Sequence, residues 1–124
     1  MSNPAFQQQI TAAVSAHGQW KARLATAIKE GKSEFTPAVV RQDNQCPFGK
    51  WLYGEVDAAS KTSPHYAKVK TLHAAFHENA AKVLDLAVSG KAAEATAAMA
   101  IGGDFAKASS QITVALGEWS RSLD

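Results

Sequence analysis

The chain has 124 residues and a mass of 13.1 kDa, so we expect one domain over residues 1–124 that can bury its own core. Its single cysteine excludes an internal disulfide and is typical of a reduced compartment. Thirteen basic and eleven acidic side chains give a formal charge of +2 without a basic stripe, which argues against a nucleic-acid partner.

The first segment is predicted to be a long amphipathic helix. Pro4 lies near its start and Gly31 is a predicted stop. Apolar residues and one histidine recur at steps of three, four or seven, namely Phe6, Ile10, Val14, His17, Leu24 and Ile28. After Gly31 the pattern lapses, and Thr36-Pro37 predicts either a turn or a new helix start.

A short helix is predicted from about Phe48 to Ala59. Pro47 suits the first turn of that helix, which would place Cys46 at or next to its N-terminus. Backbone N–H groups and the helix dipole favour a thiolate at that position.

The second half of the chain predicts two further long helices. Ser63-Pro64 has the pattern of an N-cap followed by proline at the first helical position, and Ser89-Gly90 ends that helix. Its predicted buried stripe consists of Val69, Leu72, Phe76, Ala80, Val83 and Ala87. The last segment runs from Lys91 to about Ser122, and Gly102-Gly103 predicts a kink, a close helix approach or a break within it.

No strand-like alternation is present, so the predicted fold is all-α. Three long helices and a shorter one favour an antiparallel four-helix bundle, with an additional short helix or loop near the cysteine. No segment approaches the roughly 20 apolar residues that span a bilayer, and no signal peptide is recognised at the start. We therefore expect a soluble, cytoplasmic protein.

The histidines and the cysteine are the candidate metal ligands. His73 and His77 are four residues apart, which stacks them on one helix face about 6 Å apart along the axis. Two imidazoles at that spacing can bind one ion, and His17 with the Cys46 thiolate could complete a tetrahedral zinc site.

Each candidate also has a purely structural interpretation. His17 could be a hydrogen-bonded core histidine, Cys46 a small hydrophobe, and the pair at 73 and 77 could face water. His65 lies about 12 Å along the helix from His73, too far to share its ion easily, and is predicted to be exposed. Burying several imidazoles without partners is costly, so a shared metal is the interpretation that accounts for all of them together.

The order of these residues resembles a known family. His17-Gly-Gln-Trp20, Cys46-Pro-Phe-Gly-Lys-Trp51-Leu and His73-Ala-Ala-Phe-His77 are similar to the bacterial chemoreceptor zinc-binding (CZB) domain. The resemblance covers about Val14 to Leu86. It implies Zn²⁺ bound within a four-helix bundle by His17, Cys46, His73 and His77.

The resemblance also implies a function. Family members usually regulate chemoreceptors or enzymes that make cyclic di-GMP, and they act as dimers. A chemoreceptor or diguanylate cyclase is therefore a candidate partner, together with a second copy of the chain. Oxidation of Cys46 could release that ligand and make the site redox-responsive, whereas a permanently shielded Cys46 is the alternative.

Two other classes of function stay open. One is a metal-independent helical dimerisation or interaction module. The other is a metal-dependent enzyme, which would require one ligand to leave an open coordination position. A protein site with four ligands leaves no such position, and Ala74 stands where a zinc protease helix carries glutamate. We therefore expect no catalytic residues and no enzymatic activity.

Overall fold

The computed structural model describes residues 4–56 and 58–122, which form helices and connecting turns without any strand. Three helices are long: α1 (Pro4–Glu30), α5 (Pro64–Val88) and α7 (Asp104–Arg121). Four are short: α2 (Pro37–Arg41), α3 (Pro47–Lys50), α4 (Ala58–Lys61) and α6 (Ala92–Met99). A π-helical turn, Trp51–Glu55, follows α3.

The buried stripe of α1 differs from the predicted one at residues 14 and 28, since Val14 is exposed and Ile28 is only half-buried. The buried positions recur at steps of three, four or seven and are Phe6, Ile10, Ala13, His17, Leu24 and Ala27. Val14 lies about 100° around the helix from Ala13 and is 38% exposed. Gly31 ends the helix as predicted, because it adopts a φ of 72°, which glycine tolerates best.

The segment between the first two long helices is more divided than predicted. Thr36 caps α2 by accepting a hydrogen bond from the Val39 N–H, so Thr36-Pro37 is a helix start. The prediction of one helix from Phe48 to Ala59 is wrong. The hydrogen bond from Val56 N–H to the Trp51 carbonyl widens the turn to π geometry, and the extended backbone of Val56 then ends it.

Helix α5 begins and ends where the sequence predicts. The Ser63 hydroxyl accepts a hydrogen bond from the His65 N–H, and Gly90 follows the helix with a φ of 79°. The predicted stripe is buried except for Leu72, which is half-buried. His73 and His77 are buried on the same helix.

The C-terminal segment is broken at its glycines rather than kinked. Helix α6 ends at Met99 and α7 starts at Asp104. Gly102 has a φ of 88°, and a Cβ on Gly103 would overlap the carbonyl oxygens of Ala97 and Ala98. The two glycines therefore permit both the break and a close backbone approach.

The core lies between the three long helices, with α7 antiparallel to α1 and α5. The ring of Trp119, near the end of α7, lies 4.7 Å from that of Phe6 and 6.0 Å from that of Tyr66. Near the start of α7, Phe105 contacts Phe76. Helix α5 also packs against α2 and α6. The all-α bundle is thus confirmed, and none of its described helices has the length and apolarity needed to cross a membrane.

Candidate metal centre

Helix α5 supplies two adjacent imidazoles. His73 and His77 are one turn apart, with 0% and 3% of their surface exposed. Their Nε2 atoms lie 3.1 Å from each other. Two nitrogens at this distance must share either a proton or a cation, because two lone pairs facing each other repel.

The orientation of His77 is fixed by a backbone group of α2. Its Nδ1 lies 2.9 Å from the carbonyl oxygen of Val40. A carbonyl oxygen only accepts hydrogen bonds, so the proton of a neutral His77 ring is on Nδ1. Nε2 is then unprotonated and has a lone pair directed into the cluster, which is the arrangement typical of metal-bound histidine.

His17 reaches the same cluster from α1. The side chain is 4% exposed, and neither ring nitrogen has a hydrogen-bond partner. Its ring centroid lies 4.9 Å from that of His73 and 5.8 Å from that of His77. A buried imidazole with two unpaired nitrogens costs free energy unless another ligand or ion supplies a partner.

Cys46 closes the cluster from the N-terminus of α3. Its Sγ lies 3.4 Å from His73 Nε2 and accepts a hydrogen bond of 3.3 Å from the Gly49 N–H. The predicted position at the helix start is therefore confirmed. The turn is tight, since a Cβ on Gly49 would overlap the carbonyl oxygen of Asp43.

The geometry of the four groups fits a tetrahedral zinc ion. One ligand atom from each of four residues lies within 4.8 Å of all the others: His17, Cys46, His73 and His77. Zinc with bonds of the usual length separates its nitrogen and sulfur ligands by about 3.3 to 3.6 Å. The observed separations of 3.1 and 3.4 Å around His73 Nε2 are close to this range. Three imidazoles and one thiolate are also a donor set that zinc prefers.

Burial keeps the three imidazoles neutral, as metal ligands must be. Desolvation, with a smaller contribution from His77, lowers the pKa of His17 to about 4. Desolvation, followed by the charges of His77 and His17, lowers the pKa of His73 to about 2. Desolvation also lowers the pKa of His77, although the Val40 carbonyl and Asp43 oppose the effect.

The sequence predicts that Cys46 favours the thiolate form, whereas the structure favours the neutral thiol. Burial raises its pKa, and the backbone N–H groups of Gly49 and Phe48 only partly offset this effect. Nearby Asp43 raises the pKa further. A cation within the cluster would reverse the balance, since a coordinating thiol is deprotonated by its metal.

Aromatic rings pack against two of the imidazoles. Phe76 lies 4.8 Å from the His17 ring, and Phe48 lies 5.1 Å from the His73 ring. No carboxylate belongs to the cluster, which is the only group of three or more potential ligands in the described part of the chain. The imidazoles of the centre are thus buried, and its potential ligands are imidazole and thiol groups.

His65 is outside the cluster, as expected from its distance along the helix. It is half-buried rather than exposed, and its backbone N–H donates a hydrogen bond to the Ser63 hydroxyl at the start of α5. Two contributors were missed by the sequence reasoning, namely Val40 and Asp43. The N-cap pattern at Thr36-Pro37 could have placed α2, but no residue pattern identifies a carbonyl as the partner of His77.

Comparison with known proteins gives one match. The family model described as the chemoreceptor zinc-binding domain matches residues 17–84, a span that includes all four residues of the cluster. Neither the search of curated proteins nor that of solved structures gave a match.

Proposed function

The chain belongs to the chemoreceptor zinc-binding domain family, a family of zinc-binding signalling domains, and from this premise we propose that it is a zinc-dependent regulatory module of bacterial signalling. Its proposed ligands are His17, Cys46, His73 and His77. The convergence of one ligand atom from each of them within 4.8 Å is the observation that carries the proposal. We also propose that residues 1–124 form one domain.

The ligands connect three parts of the fold. His17 belongs to α1, Cys46 to the turn that starts α3, and the histidine pair to α5. When bound, zinc would supply a cation that ties these segments together and keeps the Cys46 sulfur as a thiolate. Losing it would leave buried imidazoles without partners, so the packing of the three segments should change. A partner in contact with them can detect that change.

The proposed role is regulatory rather than catalytic. Four protein ligands fill a tetrahedral zinc ion, so no position is left for a reactive water. The packing of Phe48 and Phe76 against the imidazoles supports the same assignment. Chemotaxis and cyclic di-GMP control are the proposed outputs, a chemoreceptor or a diguanylate cyclase is the proposed partner, and the proposed assembly is a homodimer in the cytoplasm.

A metal analysis tests the zinc assignment. The purified protein should contain about one zinc per chain, and Cys46→Ala should lose it. His65→Ala is the matched control, because that histidine lies outside the cluster and should leave zinc content unchanged. Equal metal content in wild type and Cys46→Ala would instead support a metal-independent interaction module.

The proposed output requires a test in cells. Replacing the Cys46 codon by alanine in the chromosome should alter swimming in a zinc gradient or the cellular level of cyclic di-GMP. A His65→Ala replacement should alter neither. A Cys46→Ala strain that matches wild type in both assays would contradict a role in these pathways.

We further propose a redox response through Cys46, the one ligand that is half-buried rather than buried. Mild hypochlorite should convert its thiolate to a sulfenic acid and release zinc, which mass spectrometry and a zinc-sensitive dye would detect. Retention of both zinc and an unmodified Cys46 would contradict this response.

A further inference from the structure

A groove between α1 and the Cys46–Phe48 segment leads to the candidate centre. Its cavity volume is about 270 Å³. Most of its lining is alanine, proline or aromatic: Ala12, Ala13, Ala16, Trp20, Pro47 and Phe48. The groove therefore has room for a small ligand and offers it few hydrogen bonds.

The groove reaches only one side of the cluster. Cys46 and His17 are part of its lining, whereas His73 and His77 are not. His17 is 4% exposed and both of its ring nitrogens lack a hydrogen-bond partner. The groove thus ends at a half-buried sulfur and an unpaired imidazole, both of which are metal-binding groups.

The groove lining contains one positively charged side chain. Arg23 is part of the lining, and its guanidinium lies 5.0 Å from the centroid of the Trp20 ring and 5.3 Å from that of Phe35. The two rings lie 5.1 Å apart and contact each other, and the guanidinium packs beside both of them. The lining contains no Asp or Glu. The only charged side chain in the lining is therefore positive and favours an anionic ligand over a neutral one of the same size, although Asp43 places a negative charge near Cys46 outside the lining.

We propose that this groove is the route by which zinc is exchanged, and that small anionic metal ligands use it to reach the centre. The proposal rests on the proposed zinc function and adds the direction from which the site is approached. An incoming ligand meets Cys46 and His17 first, so these two residues would be exchanged before the pair on α5.

Narrowing the groove tests the route. Ala16→Phe should slow both zinc uptake and zinc transfer to an anionic chromophoric chelator severalfold and by the same factor, leaving the equilibrium affinity unchanged. Ala22→Phe is the matched control, because Ala22 is exposed on the same helix and does not line the groove. Both substitutions carry the same change in helix propensity.

The outcomes separate the two proposals. Unchanged rates in a zinc-loaded Ala16→Phe protein would overturn the route while leaving the zinc site intact. A change in affinity without equal changes in both rates would also overturn it, since that indicates a distorted site. If Ala16→Phe does not fold, Ala12→Leu adds a smaller group to the same lining and is judged by the same criteria.

The charge preference is tested on metal-free protein and so does not depend on zinc. Iodoacetate and iodoacetamide are similar in size, and both alkylate Cys46 as its thiolate forms an S–C bond and iodide leaves. The ratio of the two rates cancels any difference in thiolate fraction between variants. Arg23→Gln should lower the iodoacetate-to-iodoacetamide ratio about two- to fivefold, the range for one screened charge that lines the same groove as the reacting thiolate. An unchanged ratio would show that Arg23 does not select the ligand.

Discussion

His77 and Val40 are joined by a contact of 2.9 Å between the ring Nδ1 and the backbone carbonyl oxygen. This contact connects the candidate metal centre to α2, which contributes no ligand of its own. Because the carbonyl can only accept, it selects one tautomer of His77 and directs the lone pair of Nε2 toward His73 and Cys46.

The first prediction concerns that tautomer. In the zinc-loaded protein, His77 should be protonated at Nδ1 and bound to the metal through Nε2. Nitrogen-15 chemical shifts of the imidazoles, correlated with their ring protons, distinguish this form from the alternative. His65 provides an internal reference for a histidine outside the cluster. A His77 ring that carries its proton on Nε2 would contradict the assigned role of Val40.

The second prediction concerns the Cys46 turn. Gly49→Ala should destabilise the protein by about 1 to 3 kcal/mol, the usual cost of overpacking, and should weaken zinc binding. The reason is that a Cβ there would overlap the Asp43 carbonyl oxygen and lie 2.9 Å from the carbonyl carbon. Urea unfolding and a zinc titration measure the two effects.

A second glycine provides the control for that substitution. Gly18 lies within α1, and a Cβ added to it would meet nothing within 4 Å. Gly18→Ala should therefore stabilise the protein by about 1 kcal/mol through helix propensity. Equal effects of Gly49→Ala and Gly18→Ala would show that the turn at Cys46 tolerates a side chain.

Local sequence patterns predicted much of the fold and identified the candidate ligands. The spacing of His73 and His77 is a property of one helix, and the starts at Thr36-Pro37, Cys46-Pro47 and Ser63-Pro64 depend on a capping side chain followed by proline. These signals are confined to a few neighbouring residues. They can therefore be recognised before any tertiary contact is known.

The features that were missed depend on tertiary contacts. The assignment of Val14 to the core failed because alanine at position 13 faces the other helices despite its small apolar surface. The π-helical turn at Trp51 is closed by the N–H of the buried Val56, and no spacing of residues in the sequence marks it. The partner of His77 is a carbonyl group, which every residue carries and no sequence pattern marks.

The third prediction concerns the pH dependence of the metal-free protein. His17 and His73 have folded-state pKa values of about 4 and about 2, below the 6.5 of an unfolded histidine. At a pH between the folded-state pKa of either histidine and 6.5, the unfolded chain binds more protons than the folded protein. The stability must therefore fall as the pH is lowered below about 6.5. At pH 5 each of the two histidines should therefore lower the free energy of unfolding by about 2 kcal/mol relative to neutral pH.

Urea unfolding between pH 7.5 and pH 5 measures this loss. Zinc should stabilise the protein most at the upper end of the range, because protons compete for the imidazoles as the pH falls. The His65→Ala variant should keep the pH dependence, since His65 is outside the buried cluster. A metal-free protein of constant stability over this range would contradict the buried, neutral state of the histidines.

The fourth prediction tests whether the C-terminal helix, which lies beyond the family match at residues 17–84, folds together with the metal centre. Trp119 is fully buried, and its ring contacts those of Phe6, Trp51 and Tyr66. Trp119→Ala should destabilise the protein by about 3 to 5 kcal/mol, and Trp119→Phe should cost less because it keeps an aromatic ring. Neither substitution changes a candidate ligand, so the zinc stoichiometry of the folded fraction should stay that of the wild type.

Two measurements test whether α7 and the metal centre unfold together. If they form one cooperative unit, the denaturation curves recorded by helical circular dichroism and by zinc release should coincide, and Trp119→Ala should shift both curves. If the substitution shifted only the circular dichroism transition, α7 would unfold independently of the metal centre, and residues 1–124 would not form a single domain.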